Sequence, residues 1–202
     1  GAVYGGGGGP GGVTEDELHA PDPLSPASAT AEGKRAAEFL CAAAAKTAGL
    51  SLSVARCFSF AGPYMPMNSH FAAGNFIRDA VAGRPIQVKG DGSPVRSYLY
   101  PTDLVIWLWT ILLKGAPGRA YNVGSERAIS IAELARLIDD LTGGRSTVVL
   151  GGGSSPAVGS KSYVPSTERA RTELGLKETV PLEEVLSRTY RWALSSAHAD
   201  EA

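Results

Sequence analysis

Apolar residues recur along the chain with two different spacings, and their alternation predicts a series of helices and strands. A helical spacing rich in Ala, Glu, Lys and Leu covers residues 28–48, and Gly49 ends it. The next apolar run, residues 50–58, is short and contains Val54, which favours a buried strand. Strands that alternate with helices favour a mostly parallel sheet with helices on its faces.

The rest of the pattern predicts further elements of both kinds. Short apolar runs predict four more strands, at residues 86–88, 97–100, 121–123 and 147–150. Helical spacing predicts five more helices, at residues 70–82, 104–113, 130–143, 167–174 and 181–196. Ser130 and Glu133 have the S-x-x-E spacing of a capping box at the start of one of these helices.

The longest apolar run is LVIWLWTILL, at residues 104–113. Thr102 or Asp103 is expected to cap this helix, and Lys114 and Gly115 to end it. A membrane-spanning helix needs about 20 apolar residues, so this run is too short to cross a bilayer. We therefore expect a buried helix and no membrane partner.

The first residues have a different composition from the rest of the chain. Residues 2–4 (AVY) are typical of the end of a strand, whereas residues 5–27 are rich in Gly and Pro and are expected to form loop. The glycine run at 5–12 contains Pro10 and no helix follows it, so we interpret it as a surface loop and not as a phosphate-binding turn. No initiator Met precedes residue 2, so we expect a fragment or trimmed protein, or else a cloning remnant before a complete domain.

Charge and cysteine usage narrow the classes of partner. The 202 residues carry a formal net charge of -1, which gives no indication of a nucleic-acid or membrane-surface partner. Cys41 and Cys57 lie far apart without metal-ligand spacing, which fits a reducing compartment such as the cytoplasm. The histidines His19, His70 and His198 are also far apart in sequence, so no metal site is expected.

Four segments combine chemically reactive side chains with glycine or proline. They are residues 30–34 (TAEGK), 56–63 (RCFSFAGP), 75–77 with 90–98 (NFI and GDGSPVRSY), and 121–124 (YNVG). Each is weak evidence alone. Together, and in this order, they resemble the extended short-chain dehydrogenase/reductase family, the nucleotide-sugar epimerases and dehydratases. The resemblance covers nearly the whole chain.

The resemblance implies an α/β fold in two parts. Residues 1–60 and 97–124 are expected to form the remainder of a truncated Rossmann-like dinucleotide-binding domain, a parallel sheet with helices on both faces. Residues 61–96 and 125–202 are expected to form a smaller α/β domain that binds the nucleotide sugar.

The family's chemistry needs a tyrosine that exchanges a proton with a sugar hydroxyl while NAD takes or returns a hydride. A lysine four residues later lies on the same helix face, lowers the phenol pKa and holds the nicotinamide ribose. Here Lys34 occupies the lysine position, but Thr30 occupies the tyrosine position. A threonine hydroxyl is too weak an acid and too short to replace the phenol, so we expect impaired catalysis. Without the resemblance, an ordinary solvated helix lysine would be the favoured interpretation of Lys34.

The resemblance also assigns the remaining site residues. Cys57 and Ser59 are expected beside Lys34 on the cofactor side, where NAD or NADP binds. On the substrate side, the resemblance places Arg96 at the nucleotide diphosphate, and the alternative is a surface ion pair. It places Asn75 at the diphosphate or sugar, and the alternative is a solvent-facing helix residue. Gln87 is expected near the nucleotide base, and Lys161 or Arg169 at a second phosphate contact. His70 lies in an expected pocket loop before a helix, and we interpret it as a helix-start or packing residue.

Two functions stay open at this point. The first is the C-terminal part of an NAD-dependent nucleotide-sugar epimerase or 4-keto-sugar reductase, inactive as this fragment. Elimination of water is less favoured, because Gly1 and Ala2 occupy the positions of the acidic pair that the family's dehydratases use. The second is a non-catalytic relative that binds a nucleotide sugar or a protein partner. Relatives pair through the active-site helix, so a homodimer is expected in the full-length protein.

Overall fold

Helices and short strands alternate through most of the chain. The computed structural model describes residues 1–5, 11–19, 21–152 and 162–199. The helices are α1 (Ala29–Ala48), α2 (Ala72–Val81), α3 (Pro101–Lys114), α4 (Ile131–Leu141), α5 (Glu168–Leu174) and α6 (Leu182–Ala199). The strands are β1 (Ser53–Cys57), β2 (Ile86–Val88), β3 (Val95–Arg96), β4 (Arg119–Val123), β5 (Ile129–Ser130), β6 (Val148–Leu150) and β7 (Ser162–Tyr163).

Most predicted elements are confirmed within a few residues. Helix α1 ends as expected at Gly49, which adopts a left-handed conformation with φ of 65°. The capping box is present at the start of α4, where the Glu133 amide donates to the Ser130 hydroxyl at 3.1 Å and the Ser130 amide donates to the Glu133 carboxylate at 2.9 Å. These local signals needed no tertiary contact to be recognised.

Two strand predictions were wrong. Residues 2–4 form a single turn of 3₁₀ helix instead of the end of a strand. The strand expected at 97–100 lies earlier, at β3, and Leu99 makes only an isolated bridge with Phe60. Segments of three or four residues are too short for their apolar pattern to distinguish a turn from a strand. Their conformation depends instead on where they lie relative to β1.

Helix α3 differs from its prediction at both its start and its surface. Its N-cap is Tyr100, which gives no side-chain cap, and the Asp103 carboxylate instead accepts hydrogen bonds from the amides of Thr179 and Val180 at 3.0 and 3.2 Å. The helix is also not buried all round. Trp107 and Ile111 are buried, but a broad apolar face is exposed, formed by Val105, Ile106, Leu108, Trp109, Leu112 and Leu113.

The strands form three small sheets. Strands β1 and β4 pair in parallel, with Arg56 opposite Asn122, and β2 and β6 also pair in parallel. In the third sheet, β3 pairs antiparallel with β5 and parallel with β7. The predicted α/β class with a parallel sheet and flanking helices is therefore confirmed.

Besides a small cluster of Val3, Tyr4, Val13 and Phe58, two larger apolar cores support these sheets. One lies beside β1 and β4 and contains Leu99, Trp107, Ile111, Tyr121, Val123, Ala170 and Leu176. The other joins α2, α4 and α6 to β2 and includes Phe76, Ile77, Ile86, Leu134, Ile138, Leu182 and Leu186. The division into a cofactor part and a substrate part stays a prediction, and α5, which was placed in the substrate part, packs with α3 and β4.

A buried arginine joins β1 to the N-terminal segment and to α1. The Arg56 guanidinium makes two hydrogen bonds to the Glu38 carboxylate on α1, at 2.9 and 2.8 Å. It also donates to the Tyr4 hydroxyl at 3.1 Å and to the Glu15 carbonyl at 2.8 Å. Burial alone would lower the pKa of Arg56, but the hydrogen bonds to Glu38 and Tyr4 outweigh burial and raise it. The arginine therefore stays charged and fixes where α1 sits.

Side chains close the outer edge of β4. The Glu15 carboxylate accepts a hydrogen bond from the backbone N–H of Asn122 at 2.7 Å, and the Arg169 guanidinium donates to the Ala120 carbonyl at 3.0 Å. The fully buried Asn122 side chain donates to the carbonyls of Val13 and Ser166, at 2.8 and 3.0 Å. The exposed edge of a strand can pair with another strand. Here the backbone groups at the edge of β4 are hydrogen-bonded by side chains instead.

The glycine run predicted as a surface loop leads directly into a packed segment. Gly5 and Gly11 are exposed, as predicted, whereas Val13 and Glu15, just after the run, are buried. Gly12 has φ of 80°, and a side chain there would lie 2.5 Å from the Pro165 carbonyl carbon. Residues 6–10 lie outside the described residues.

Within the part of the chain that the structure describes, no helix is both long enough and apolar enough to cross a membrane.

Replacing Arg56 by Met removes the partner of Glu38 and of the Tyr4 hydroxyl. Breaking a buried ion pair leaves an uncompensated charge, so we expect the free energy of unfolding to fall by about 3 kcal/mol. Urea unfolding followed by circular dichroism measures this change. As a control, Arg136→Met on the exposed face of α4 should change stability by less than about 0.5 kcal/mol. Equal losses in both variants would contradict the role given to Arg56.

Candidate functional site

A cleft of about 870 Å³ opens beyond the carboxyl end of β1. In parallel α/β sheets this is the edge at which ligands bind, since loops from several elements converge there. The cleft is lined by the 3₁₀ turn at residues 2–4, the start of α1, the loop after β1, the loop before α2, and strands β3 and β7.

Thr30 lines this cleft from the first turn of α1. A second 3₁₀ turn, Pro26–Ser28, leads directly into the helix and leaves Thr30 exposed to the cleft. Lys34 lies one helical turn later and is exposed, outside the lining set. Burial is the largest influence on the Cys57 thiol and raises its pKa, against the smaller opposing effects of the Gly1 amino group and of Lys34.

Arg96 enters the cleft from β3. It is half-buried, its guanidinium lies 5.9 Å from the centre of the Tyr163 ring, and it donates to the Val95 carbonyl at 2.7 Å. Among the described lining residues Arg96 is the one guanidinium. Its forked donors suit a phosphate or carboxylate.

Ser59 also lines the cleft, immediately after β1. Cys57, two residues earlier, does not line it, and its half-buried side chain packs on the core beside α3 and β4. The cofactor contact expected for Cys57 stays a prediction, and in the structure its thiol lies outside the cleft lining. Ser59 is the residue of this pair that faces the cleft.

Two predicted substrate residues, Asn75 and Gln87, do not line the cleft. The Asn75 amide donates to the Ser69 carbonyl at 2.7 Å and accepts from Arg78 at 3.2 Å, so it holds the loop before α2 in place. Gln87 is exposed on β2, outside the lining set. Lys161 lies outside the described residues. Its alternative, Arg169, is bound to Asp16 and to the Ala120 carbonyl.

The sequence analysis missed the aromatic character of the cleft. Tyr4, Phe58, Tyr98 and Tyr163 all line it, and the Phe58 ring lies 5.9 Å from Tyr4 and 4.9 Å from Tyr163. Burial raises the pKa of Tyr4 and of Tyr98 to about 12, and it also raises that of Tyr163. These phenols therefore stay protonated at neutral pH and can donate hydrogen bonds. Their positions in turns and very short strands gave no sequence signal.

His70, which was interpreted as a helix-start or packing residue, also lines the cleft. It lies in the loop before α2, and its ring centre is 4.2 Å from that of Phe71. No group of three or more His, Cys, Asp or Glu side chains in the described residues could hold a metal ion. The cleft thus combines aromatic walls, one guanidinium and one imidazole, which suits a ring-containing ligand with an anionic group.

The fold and this site define an α/β protein with a ligand cleft beyond the carboxyl end of a parallel sheet, and comparison with known proteins gives the family. The sequence model of the NAD dependent epimerase/dehydratase family matches residues 1–124. The chain belongs to this family.

Curated relatives span several reactions. The chain is 34% identical over 173 residues to UDP-glucuronic acid decarboxylase 1 of Xenopus tropicalis, which covers 85% of this chain and 40% of that protein. It is 28% identical over 191 residues to a probable dTDP-glucose 4,6-dehydratase of Sinorhizobium fredii, which covers 90% of this chain and 52% of that protein. The chain thus spans about half the length, or less, of these relatives.

Solved structures show the same fold. UDP-glucose 4-epimerase from Thermotoga maritima, solved with UDP-glucose, superposes with a TM-score of 0.80 at 25% identity over 92% of this chain and 58% of that one. dTDP-glucose 4,6-dehydratase from Bacillus anthracis, solved with NAD, gives a TM-score of 0.82 at 26% identity over 98% of this chain and 60% of that one. The family's members use a nicotinamide cofactor, as predicted.

The residues present fit one part of an NAD site. Lys34 and Ser59 lie near the end of β1, where the nicotinamide and its ribose are expected. In the described residues no β-strand leads through a glycine loop into a helix, which is the arrangement that binds the pyrophosphate. The groups present would therefore suit the reacting end of the cofactor and not its pyrophosphate.

Proposed function

We propose that this chain forms the substrate-binding side of an NAD-dependent nucleotide-sugar epimerase or 4-keto-sugar reductase that acts by reversible hydride transfer. One observation carries the proposal: Thr30, Ser59 and Arg96, predicted separately from three distant motifs, line one cleft. This convergence of three predicted residues supports the proposal, although Lys34, Cys57, Asn75 and Gln87 lie outside the lining. Because the chain spans only part of its relatives, the activity refers to the full-length protein.

Each group at the cleft has a task in this function. Arg96 neutralises the diphosphate of the nucleotide sugar, and the protonated phenols of Tyr98 and Tyr163 donate hydrogen bonds to its oxygens. The aromatic wall at Phe58 excludes water from the sugar ring. When bound, NAD accepts or returns the hydride. Thr30 cannot accept the sugar's proton, because an alkoxide is far too basic to form near neutral pH, so the chain is a weak catalyst as it stands.

The lining of the cleft favours epimerisation or reduction over elimination of water. Gly1 and Ala2 line the cleft and carry no acid, and no described lining residue is Asp or Glu. Elimination needs a carboxyl or similar group to protonate the departing hydroxyl, whereas hydride transfer does not.

A second function is favoured by Thr30 itself. A cleft that keeps Arg96 but lacks the phenol of the tyrosine position can bind a nucleotide sugar without turning it over. The chain would then be a binding protein, and the two functions differ only in the response to restoring the phenol.

Replacing Arg96 by Gln removes the cation from the cleft. Charge-assisted hydrogen bonds contribute about 1.5–3 kcal/mol, so we expect binding of UDP-glucose, UDP-glucuronic acid or dTDP-glucose to weaken about 10- to 100-fold. Isothermal titration calorimetry measures this affinity. Arg136→Gln, on exposed α4 outside the cleft, should leave it unchanged. Unchanged affinity in Arg96→Gln would place the diphosphate elsewhere.

Replacing Thr30 by Tyr in the full-length protein restores the phenol above Lys34. We expect turnover with NAD to rise about 100-fold or more, the usual contribution of a positioned acid–base group. Conversion of the nucleotide sugar is followed by chromatography. Thr30→Phe provides the ring without the hydroxyl and should give no gain. No gain in Thr30→Tyr would count against the catalytic assignment and for the binding protein.

We further propose that the full-length protein is a homodimer that pairs through α1. Phe39 and Leu40 are 71% and 63% exposed on this helix, and of its twenty residues Ala31 alone is buried. An Ala-rich helix surface that carries exposed large apolar side chains is suited to close helix packing.

Introducing a charge tests this pairing. Phe39→Glu would place a carboxylate in the apolar contact, so we expect the full-length protein to become monomeric at micromolar concentration. Sedimentation equilibrium measures the mass. Glu32→Gln on the same helix is the control and should stay dimeric. A wild-type monomer, or a Phe39→Glu dimer, would exclude α1 as the interface.

A further inference from the structure

The loss of the tyrosine raises the question of which side chain in the cleft can exchange a proton near neutral pH. Apart from Arg96 and the amino group of Gly1, the titratable side chains that line it are Tyr4, Tyr98, Tyr163 and His70. Burial moves the pKa of each of the three phenols upwards, away from neutrality. Imidazole is the side chain that ordinarily titrates between pH 5 and 8.

The structure holds the His70 loop firmly. The Asn75 amide donates to the Ser69 carbonyl at 2.7 Å, and the Arg78 guanidinium donates to the Met67 carbonyl at 3.2 Å. Arg78 also donates to the Asn75 carbonyl oxygen at 3.2 Å, so the two side chains act together. Their hydrogen bonds fix the backbone on both sides of Asn68 and Ser69 and direct the following residue toward the cleft.

The imidazole itself is restrained but accessible. Its ring centre lies 4.2 Å from that of Phe71, at an interplanar angle of 40°. Phe71 is the N-cap residue of α2 and lines the same cleft, so it places the imidazole beside the ligand space. His70 remains exposed to that space, where a bound sugar hydroxyl can reach a ring nitrogen.

We propose that His70 is the proton acceptor and donor for the sugar in this chain, in place of the absent tyrosine. The inference rests on the proposed function and goes beyond it by assigning the acid–base group. In the oxidation step, a ring nitrogen of His70 takes the hydroxyl proton. The electron pair of the O–H bond forms the carbonyl π bond. The hydrogen on the same carbon would leave with the electron pair of its C–H bond, as hydride, to NAD⁺. The sugar is oxidised by two electrons, NAD⁺ is reduced to NADH, and the proton resides on the imidazolium. The return step reverses each transfer.

Asn75 is a positioning residue in this scheme. It was predicted to touch the substrate, yet its hydrogen bonds are made within the loop that presents His70. The family asparagine position thus supports the imidazole in place of binding the sugar directly.

The first test measures binding and the imidazole together, without turnover. UDP-glucose, UDP-glucuronic acid and dTDP-glucose are each added to the chain while the imidazole C–H signals are recorded by NMR. The His70 signal is identified by its loss in His70→Gln. We expect the ligand that binds in calorimetry to shift the His70 signal and its titration midpoint, and to leave the signal of exposed His19 unchanged.

The second test uses activity in the full-length protein. A base must be neutral, so kcat/KM with the Thr30 protein should rise with pH as the catalytic base loses its proton. His70→Gln should lose about 100-fold in kcat and lose this pH limb. In the Thr30→Tyr background the same change should cost less than about 3-fold, because the phenol then takes the proton. His19→Gln should match the wild type in both backgrounds.

The outcomes separate the two proposals. If none of the three nucleotide sugars binds, the proposed function fails. If one binds but the His70 signal does not move, or if His70→Gln keeps the pH limb, the assignment of His70 fails while the proposed function stands. An equal loss from His70→Gln in both backgrounds would indicate a structural role for His70 and would also overturn the assignment.

Discussion

The Arg56 guanidinium is the interaction on which the geometry of the site depends. It extends from β1 to the Glu38 carboxylate on α1, to the Tyr4 hydroxyl and to the Glu15 carbonyl. Because α1 buries almost none of its own surface, this ion pair, more than apolar packing, sets how the helix lies against the strand. The same guanidinium therefore determines where Thr30 meets the cleft and how close the charge of Lys34 comes to the end of β1.

The cleft shows how a site can keep its binding groups and change its chemistry. Arg96 remains where an anionic group can be neutralised, and the surrounding rings provide a wall of phenols that stay protonated. The position that supplies the family's proton exchange carries a hydroxyl that cannot ionise near neutrality. In the proposed function, a change of one side chain, at Thr30, separates recognition of the nucleotide sugar from turnover, and the imidazole of His70, which lines the same cleft, is the group proposed to join them again.

The sequence predicted the regular elements better than the site. The Gly49 stop, the capping box of Ser130 and β2 are local signals, and the structure confirms them. Thr30, Ser59 and Arg96, which the motifs singled out, all line one cleft. The roles of Asn75 and the aromatic wall were not predictable, because they depend on which way short loops turn and on contacts between residues far apart in sequence. The burial of α3 was predicted from composition alone, which does not say that only one face has a neighbour.

The contact between Asp103 and the segment before α6 has a consequence for how the molecule unfolds. Its carboxylate, on α3, holds the amides of Thr179 and Val180, and the Trp107 indole donates to the Lys177 carbonyl nearby. Leu176 packs in the core beside β4, whereas Val180 packs in the core beneath α6. The three residues between them are held by these hydrogen bonds, so opening of one core exposes the segment that anchors the other. The two cores should melt as one cooperative unit, with protection from hydrogen exchange shared across the boundary between them.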